Sequence, residues 1–365
     1  MKNCTGTVFM MIKKLQAALK AAERFDGALI LSPENRFYFT GFASSDGFLL
    51  VSADRAVFIT DGRYIEAAQN QIQDCEVVLQ QSAGKQLAEI FTDMGVSAAA
   101  VETERISVAD FAKYGTFLKP VEAVPDSLLD EMICNLRTVK TPQEIAKMKA
   151  AQRIAEAAFD HILNFIKPGK TEKEIALELD FFMLSHGAEA LSFETIAVSG
   201  KKSSMPHGVP DCNTVQRGDF ITMDFGAVVD GYHSDMTRTV AVGAVSERQK
   251  EVYSTVLRAQ EAVLTALKPG LACKAADKIA RDVITEAGYG AYFTHSTGHG
   301  VGVEIHEFPR LSARSADTLK IGEVVTDEPG IYIPGEFGVR IEDMALITPD
   351  GCENLTKCPK ELIIL

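Results

Sequence analysis

The chain has 365 residues, of which 46% are hydrophobic and 24% are charged, and its formal net charge is -13. This length is typical of two domains with buried cores, and the acidic balance argues against a nucleic-acid-binding protein, which needs a basic surface. No apolar run approaches the roughly 18 residues that cross a membrane. Seven scattered cysteines without a CxxC pair indicate reduced thiols and a cytoplasmic protein.

The first third of the chain alternates helical and strand patterns. Apolar spacing predicts helices over 12–24, 63–71, 84–94 and 108–118. Apolar runs predict strands over 28–31, 75–79 and 98–101, and a hairpin of strands 47–52 and 55–60. We interpret residues 1–10 as an extension before an alternative start at Met11, and not as a signal peptide. The pattern predicts a mixed α/β domain over residues 12–125 without a catalytic cluster.

A second domain is expected over residues 126–365, after a connection from Val124 to Lys140. Thr141-Pro142-Gln143-Glu144 has the sequence of a capping box with a first-turn proline, and a long amphipathic helix is predicted after it. This helix ends at Lys167-Pro168-Gly169, and Lys268-Pro269-Gly270 ends another helix 101 residues later. The matched helices around both tripeptides favour an internal duplication, with a cleft expected between the two halves.

A hairpin is predicted over residues 219–242, where two β-rich runs flank Asp230-Gly231. A two-residue turn there pairs Val229 with Tyr232 and places Asp224 opposite Thr237. Asp224 and Asp235 then become diagonal neighbours on one face, about 7–8 Å apart. Two carboxylates that point to one place favour a bound cation, although two exposed acids on an edge hairpin would give the same pattern.

Three of the seven histidines, His295, His299 and His306, fall within twelve residues among glycines, a density that favours a site. Glu328 and Glu342 each lie at the end of, or inside, a β-rich run, and Arg340 shares a predicted strand face with Glu342. Each glutamate alone is as well explained by a surface salt bridge. Together, four carboxylates and a histidine suit Mn²⁺ and similar ions. Two such ions about 3.5–4 Å apart activate a bridging water, which attacks a carbonyl as hydroxide.

At these residues the chain resembles the pita-bread metallopeptidases, and among them the Xaa-Pro aminopeptidases and Xaa-Pro dipeptidases (prolidases). The resemblance covers residues 137–365 through the strings MPHG, MDFG, DGYHSDMTRT, HSTGHGVGVEIHE, VVTDEPGIYI and GVRIEDM. The strings PENRFYFTGF and TDGRY resemble, more loosely, the creatinase-like domain of the same enzymes. The resemblance implies an α/β (α+β) chain with a creatinase-like domain before a pita-bread catalytic domain, whose halves are related by a pseudo-two-fold axis.

The resemblance also implies roles for individual residues. It makes Glu328 the group that handles the proton of the attacking water, His306 the group that stabilises the oxyanion, and His207 a neighbour of the leaving group. His295 would support the ligands or the substrate side. The shared strand face, and not the resemblance, predicts that Arg340 orients Glu342. Asp327 stands where many relatives have an apolar residue, and we assign it no role. The implied metal ligands are Asp224, Asp235, His299, Glu328 and Glu342.

The activity implied by the resemblance is hydrolysis of an amino-terminal Xaa-Pro bond by a metal-bridging hydroxide, which releases the first amino acid. The ions are expected to be two Mn²⁺ per chain, with Co²⁺ or Zn²⁺ as alternatives. The expected partners are proline-containing peptides and a second copy of the chain in a homodimer, with no nucleic acid and no membrane. A prolidase restricted to dipeptides is the alternative activity, although the sequence does not reveal the basic group that would hold a terminal carboxylate. A non-catalytic binding module is more remote, because all five ligand positions are filled.

Overall fold

The computed structural model describes the backbone of residues 5–365 and the side chains of residues 11–365. The extension predicted before Met11 lies outside the part of the chain whose side chains are described. The chain forms two compact units, Met1–Arg137 and Thr138–Leu365. Within the described residues, no helix combines the length and the apolar character that crossing a membrane requires.

The strands of the first unit are β1 (Gly27–Ile30), β2 (Phe48–Ser52), β3 (Ala56–Thr60), β4 (Glu76–Leu79), β5 (Ala98–Val101) and β6 (Glu122–Val124). They form a six-stranded mixed sheet in the order β4-β3-β2-β1-β5-β6. The predicted hairpin is confirmed, since β2 and β3 pair antiparallel from Phe48↔Ile59 to Val51↔Ala56. The helices of this unit are α1 (Thr5–Leu19), α2 (Pro33–Thr40), α3 (Ile65–Gln71), α4 (Ala83–Asp93), α5 (Val108–Phe117) and α6 (Ser127–Thr138).

Several elements of this unit differ from the prediction, and among them the helix α2 and the strand β6 were not expected. The first helix was expected to reach residue 24 but ends at Leu19, after which tight turns lead the chain into β1. The segment interpreted as a connection is mostly the helix α6, which turns its apolar face inward through Leu129 and Ile133. Because α6 packs as part of the first unit, the compact units meet later in the chain than the expected boundary between residues 125 and 126.

The second unit begins with a helix whose capping box is confirmed. The Thr141 hydroxyl accepts from the Glu144 amide at 3.3 Å, and the Glu144 carboxylate accepts from the Thr141 amide at 2.7 Å. The helices are α7 (Pro142–Phe165), α8 (Glu172–Ser185), α9 (Glu247–Ala266) and α10 (Cys273–Glu286). The strands of the first half are β7 (Ala190–Leu191), β8 (Ile196–Ser199), β9 (Phe220–Phe225), β10 (Ala227–Val229), β11 (Tyr232–His233) and β12 (Met236–Ala241). Those of the second half are β13 (Gly298–Gly300), β14 (Glu307–Leu311), β15 (Val324–Asp327), β16 (Gly330–Ile333), β17 (Phe337–Arg340), β18 (Asp343–Thr348) and β19 (Gly351–Asn354).

The internal duplication is visible in this unit. Helix α10 starts and ends 101 positions after α8, and the preceding glycines, Gly169 and Gly270, have φ of 92° and 83°. The antiparallel strand order β8-β9-β12 of the first half matches β13-β15-β18 of the second. Asp235 directly precedes β12, and Glu342 directly precedes β18. The duplication therefore places one carboxylate of each half at an equivalent position.

Candidate metal centre

Asp224 reaches the centre from β9, and Asp235 reaches it from the residue before β12. The predicted register is confirmed, since Val229 pairs with Tyr232 and Asp224 with Thr237. Asp230 and Gly231 have φ of 47° and 72°, as a type I′ turn requires. This turn and register bring the two carboxylates to one place.

His299 lies in β13 between two glycines. A Cβ at Gly298 would lie 2.0 Å from the Thr326 carbonyl oxygen, and one at Gly300 would lie 2.2 Å from the Phe308 carbonyl oxygen, so only glycine permits the close approach of β15 and β14. His299 Nδ1 is 3.0 Å from the Gly300 carbonyl oxygen, which can only accept, so Nδ1 carries the proton. The other ring nitrogen, Nε2, keeps its lone pair for a metal ion.

The second half of the unit supplies two glutamates to the same centre. Glu328 follows β15, and its Oε1 lies 3.4 Å from His299 Nε2, while Asp235 Oδ2 lies 3.6 Å from the same nitrogen. Glu342 precedes β18 and accepts a hydrogen bond from the Thr237 hydroxyl at 2.7 Å. The structure thus brings together all five residues expected to bind metal.

The electrostatics of these groups favour bound cations. Burial raises the pKa of Asp235 and Glu342 well above their ordinary values, and repulsion from the other carboxylates raises both further. Burial also raises the pKa of Glu328 to about 8 and lowers the pKa of His299 to about 3. Several buried carboxylates beside a neutral imidazole are costly without a counter-ion, and they form an oxygen-rich donor set when one is present.

The donor geometry also fits a metal. One ligand atom from each of Asp235, His299 and Glu342 lies within 4.8 Å of the other two. Asp224 uses Oδ2 to accept from Arg340 at 2.7 Å, whereas its Oδ1 is buried and has no hydrogen-bond partner among the described residues. A buried carboxylate oxygen without a donor, beside three converging ligands, is available to a cation.

Arg340 acts differently from the prediction. Strand β17 ends at Arg340, and the chain leaves the strand before Glu342, so the two residues do not share a strand face. The guanidinium binds Asp224 directly and reaches Glu342 only through the Thr237 hydroxyl, which accepts from Arg340 Nε at 3.0 Å. It also donates to the Tyr332 hydroxyl at 2.8 Å. Arg340 therefore orients ligands from both halves of the unit.

The three other histidines predicted for the site, His207, His295 and His306, line one cavity of about 500 Å³ together with the ligands. His295 Nε2 lies 2.8 Å from the Tyr332 hydroxyl, and burial lowers the pKa of His295 to about 4. The His306 ring stands edge-on to His299 with centroids 4.4 Å apart, and His207 lies on the exposed wall. All nine residues predicted for the site line this cavity.

Sequence reasoning missed several residues of the site. Arg310 lines the cavity and is the cross-strand neighbour of His299, which places both side chains on one face of the β13–β14 pair. Tyr332 and Thr237 connect Arg340 to its neighbours, but a strand tyrosine and a strand threonine carry no distinguishing pattern. Buried and exposed residues alternate along β14, and this alternation was the one available signal for Arg310. The signal becomes useful only when the register of β14 with β13 is known.

Asp327 points away from this centre. It is fully buried in β15 opposite Asp343 and does not line the cavity, whereas Thr326 and Glu328 on either side do contact the site residues. Burial raises the pKa of Asp327 well above its ordinary value, and Asp343 raises it further. The Asp327 side chain is therefore a buried acid on the face of β15 that is turned away from the cavity, and it is not an additional ligand.

Comparison with known proteins agrees with this geometry. Residues 146–349 match the model of metallopeptidase family M24, and residues 11–139 match the creatinase/prolidase N-terminal domain. An Xaa-Pro dipeptidase structure from Bacillus anthracis is 44% identical with a TM-score of 0.94, covering 98% of this chain and 100% of that one. An X-Pro aminopeptidase structure from Thermotoga maritima is 37% identical with a TM-score of 0.89, covering 95% and 100%.

A curated relative extends the similarity. The Xaa-Pro dipeptidase of Pyrococcus furiosus is 38% identical over 359 residues, which cover 97% of this chain and 100% of the relative. Together with the match over residues 146–349, this shows that the chain belongs to metallopeptidase family M24 and is a metal-dependent hydrolase with a creatinase/prolidase N-terminal domain.

Proposed function

We propose that this protein hydrolyses the Xaa-Pro bond and that dipeptides are its preferred substrates. The expectation from sequence was an aminopeptidase acting on longer peptides, with prolidase as the alternative. The relatives from Bacillus anthracis and Pyrococcus furiosus, both described as Xaa-Pro dipeptidases, favour the alternative. The observation that carries the proposal is a basic side chain in the cavity, Arg310, close to the ligands.

Arg310 is suited to bind a substrate carboxylate. It lines the cavity beside the imidazoles of His299 and His306, and its positive charge contributes to lowering the pKa of both. Arg340, the other arginine of the cavity, is already engaged with Asp224 and Tyr332. A guanidinium binds a carboxylate through two parallel hydrogen bonds, and the carboxylate of a dipeptide lies one residue from the scissile bond. A binding group this close to the ligands therefore favours short substrates.

In the proposed mechanism, Asp224, Asp235, His299, Glu328 and Glu342 hold two divalent ions, which we propose to be Mn²⁺. When bound, the ions supply an acidified water and polarise the substrate carbonyl. Glu328 takes the proton of the attacking water. His306 donates a hydrogen bond to the developing oxyanion, and His207 lies near the leaving proline nitrogen.

The test is a peptide panel with the purified protein reconstituted with Mn²⁺, Co²⁺ or Zn²⁺. We expect kcat/KM to be at least about 10-fold higher for Xaa-Pro dipeptides than for the matching Xaa-Pro-Yaa tripeptides, because only the dipeptide places its carboxylate next to Arg310. Equal or faster turnover of tripeptides would establish an aminopeptidase. Absence of turnover together with absence of bound metal would leave only a binding module.

We also propose that the protein acts as a homodimer in the cytoplasm. The proposal rests on the resemblance to Xaa-Pro peptidases and on the scattered cysteines of the sequence, which form no CxxC pair. Sedimentation equilibrium of the metal-loaded protein tests the assembly, and a mass of one chain at micromolar concentration would contradict it.

A further inference from the structure

The loop that carries His306 connects β13, which contains His299, to β14, which begins at Glu307. The pairing of the two strands shifts between His299 and Gly300, so the strand ladder is irregular where the loop begins, next to the proposed ligand His299. At its far end, His306 is exposed to the cavity next to His299. A glycine-containing loop is flexible by itself, so something must hold His306 in its place.

Glu307 restrains this loop through two contacts. Its side chain is 5% exposed, and its Oε1 accepts a hydrogen bond from the Glu304 amide at 3.1 Å. Its carboxylate also packs directly against Gly302, where a Cβ would lie 2.4 Å from Oε2. Glu307 therefore contacts two positions of the same loop and restricts its path.

Lys140 holds Glu307. Its side chain is 1% exposed, and its ammonium donates to Glu307 Oε2 at 3.0 Å and to the Thr138 carbonyl at 3.3 Å. The Lys140 amide donates to the Gly322 carbonyl at 2.9 Å, just before β15. Separating two buried charges of opposite sign is costly, because each would lose its partner in a site without water. The ion pair therefore keeps Lys140 and Glu307 in fixed positions. The loop is thereby tied to the start of α7 and to the approach of β15.

We propose that the buried Lys140–Glu307 ion pair is a positioning device for His306, which fixes the imidazole at the distance where it stabilises the oxyanion. Neither residue lines the cavity, so both act through the loop and not on the substrate. The inference rests on the role proposed above for His306. A misplacement of about 1 Å of a catalytic group is enough to lower turnover on the order of 100-fold.

A kinetic cycle of E307Q, H306A and the double variant tests this proposal with an Xaa-Pro dipeptide. We expect E307Q to lower kcat about 10-fold or more with little change of KM, because the amide keeps the volume but loses the ion pair. In the H306A background, E307Q should lower kcat less than about 2-fold, since the group it positions is already absent. Bound metal per chain should equal that of the unmodified protein in all variants.

The outcomes separate the inference from the proposed function. An unchanged kcat in H306A would overturn the role of His306 itself. An E307Q effect equally large in both backgrounds, or no effect, would overturn the positioning role alone. If E307Q does not fold, K140M/E307Q removes both charges and carries the same cycle. The control is K149M, which breaks the half-exposed Lys149–Glu353 pair and should leave kcat unchanged.

Discussion

The carboxylates of the candidate centre are individually unremarkable residues whose environment makes them unusual. Asp235 and Glu342 are 4% and 1% exposed, and neither faces a lysine or arginine directly among the contacts of the described residues. The guanidinium of Arg340 lies nearby, but it is engaged with Asp224. The excess negative charge at this point of the fold is balanced by bound cations or, in the metal-free protein, by protons.

Replacement of Asp235 by asparagine tests two consequences of that charge, which are metal-dependent turnover and the low stability of the metal-free protein. We expect D235N to lower kcat more than about 100-fold, because one of the five proposed metal ligands is lost. The metal-free D235N protein should melt at a higher temperature than the metal-free original, since repulsion from Asp224 and Glu328 is relieved.

Calorimetry in chelator and turnover in Mn²⁺ measure these two effects. E353Q, at the half-exposed Lys149–Glu353 ion pair, is the control and should change neither. Normal turnover by D235N would remove this residue from the ligand set.

Arg310 gives a second prediction at the level of the residue. R310M should raise KM for Xaa-Pro dipeptides about 10- to 100-fold, which corresponds to a lost hydrogen bond between charged groups. Dipeptides with an amidated carboxyl end should be affected much less, because they lack the charge that Arg310 binds. R314M, at an exposed position four residues away that does not line the cavity, is the matched control. An equal increase in KM for free and amidated substrates would show that Arg310 does not bind the carboxylate.

At the scale of elements, the centre depends on how closely three strands approach. β13 is short and lies between β14 and β15, and its glycines leave no room for side chains. The hairpin of β9 and β12 delivers the other two carboxylates from a separate sheet. The ligands therefore converge because equivalent strands of the two halves end at the same cavity.

The glycines of β13 can be tested directly. G298A places a methyl group 2.0 Å from the Thr326 carbonyl oxygen, so β13 and β15 must separate. We expect the free energy of unfolding to fall by about 1–3 kcal/mol and metal affinity to fall with it. G62A, where no atom lies within 4 Å of the added Cβ, should be tolerated. Chemical unfolding and metal titration of both variants provide the comparison, and a G298A protein with unchanged metal affinity would contradict the packing argument.

At the scale of the whole molecule, stability should depend on metal and pH together. Glu328 has a pKa of about 8 in the folded metal-free protein, against the ordinary value of 4.5 in the unfolded chain. The folded protein therefore binds more protons between these values, and the free energy of unfolding of the metal-free protein falls as pH rises through this window. Asp235 and Glu342 are shifted in the same direction.

Added metal should reverse this trend, because ions bind the deprotonated ligands. We expect the increase in melting temperature caused by Mn²⁺ to grow between about pH 5 and pH 8. Thermal unfolding with chelator and with Mn²⁺ across this range measures it. An increase that is the same at every pH would mean that these carboxylates do not release protons when metal binds.

Much of this protein could be read from its sequence, because the signals are local. The capping box at Thr141, the turn at Asp230-Gly231 and the strand register that follows from it depend on neighbours in the chain, and the structure has all three. The spacing of 101 residues between the two Lys-Pro-Gly tripeptides indicated the duplication. Helix α6 was missed because its apolar face was read as a connection, which moved the expected domain boundary.

The tertiary structure decided what distant segments do to one another. The sequence alone predicted which acids and histidines belong to the site, through their local patterns and the resemblance to pita-bread metallopeptidases, and the structure places all of them at one cavity. It did not determine that Arg340 binds Asp224, that Arg310 faces the cavity beside His299, or that Lys140 pairs with Glu307 across 167 positions. Such contacts are set by the packing of strands and loops from both halves. The sequence around a single arginine or lysine does not indicate which residue it will contact.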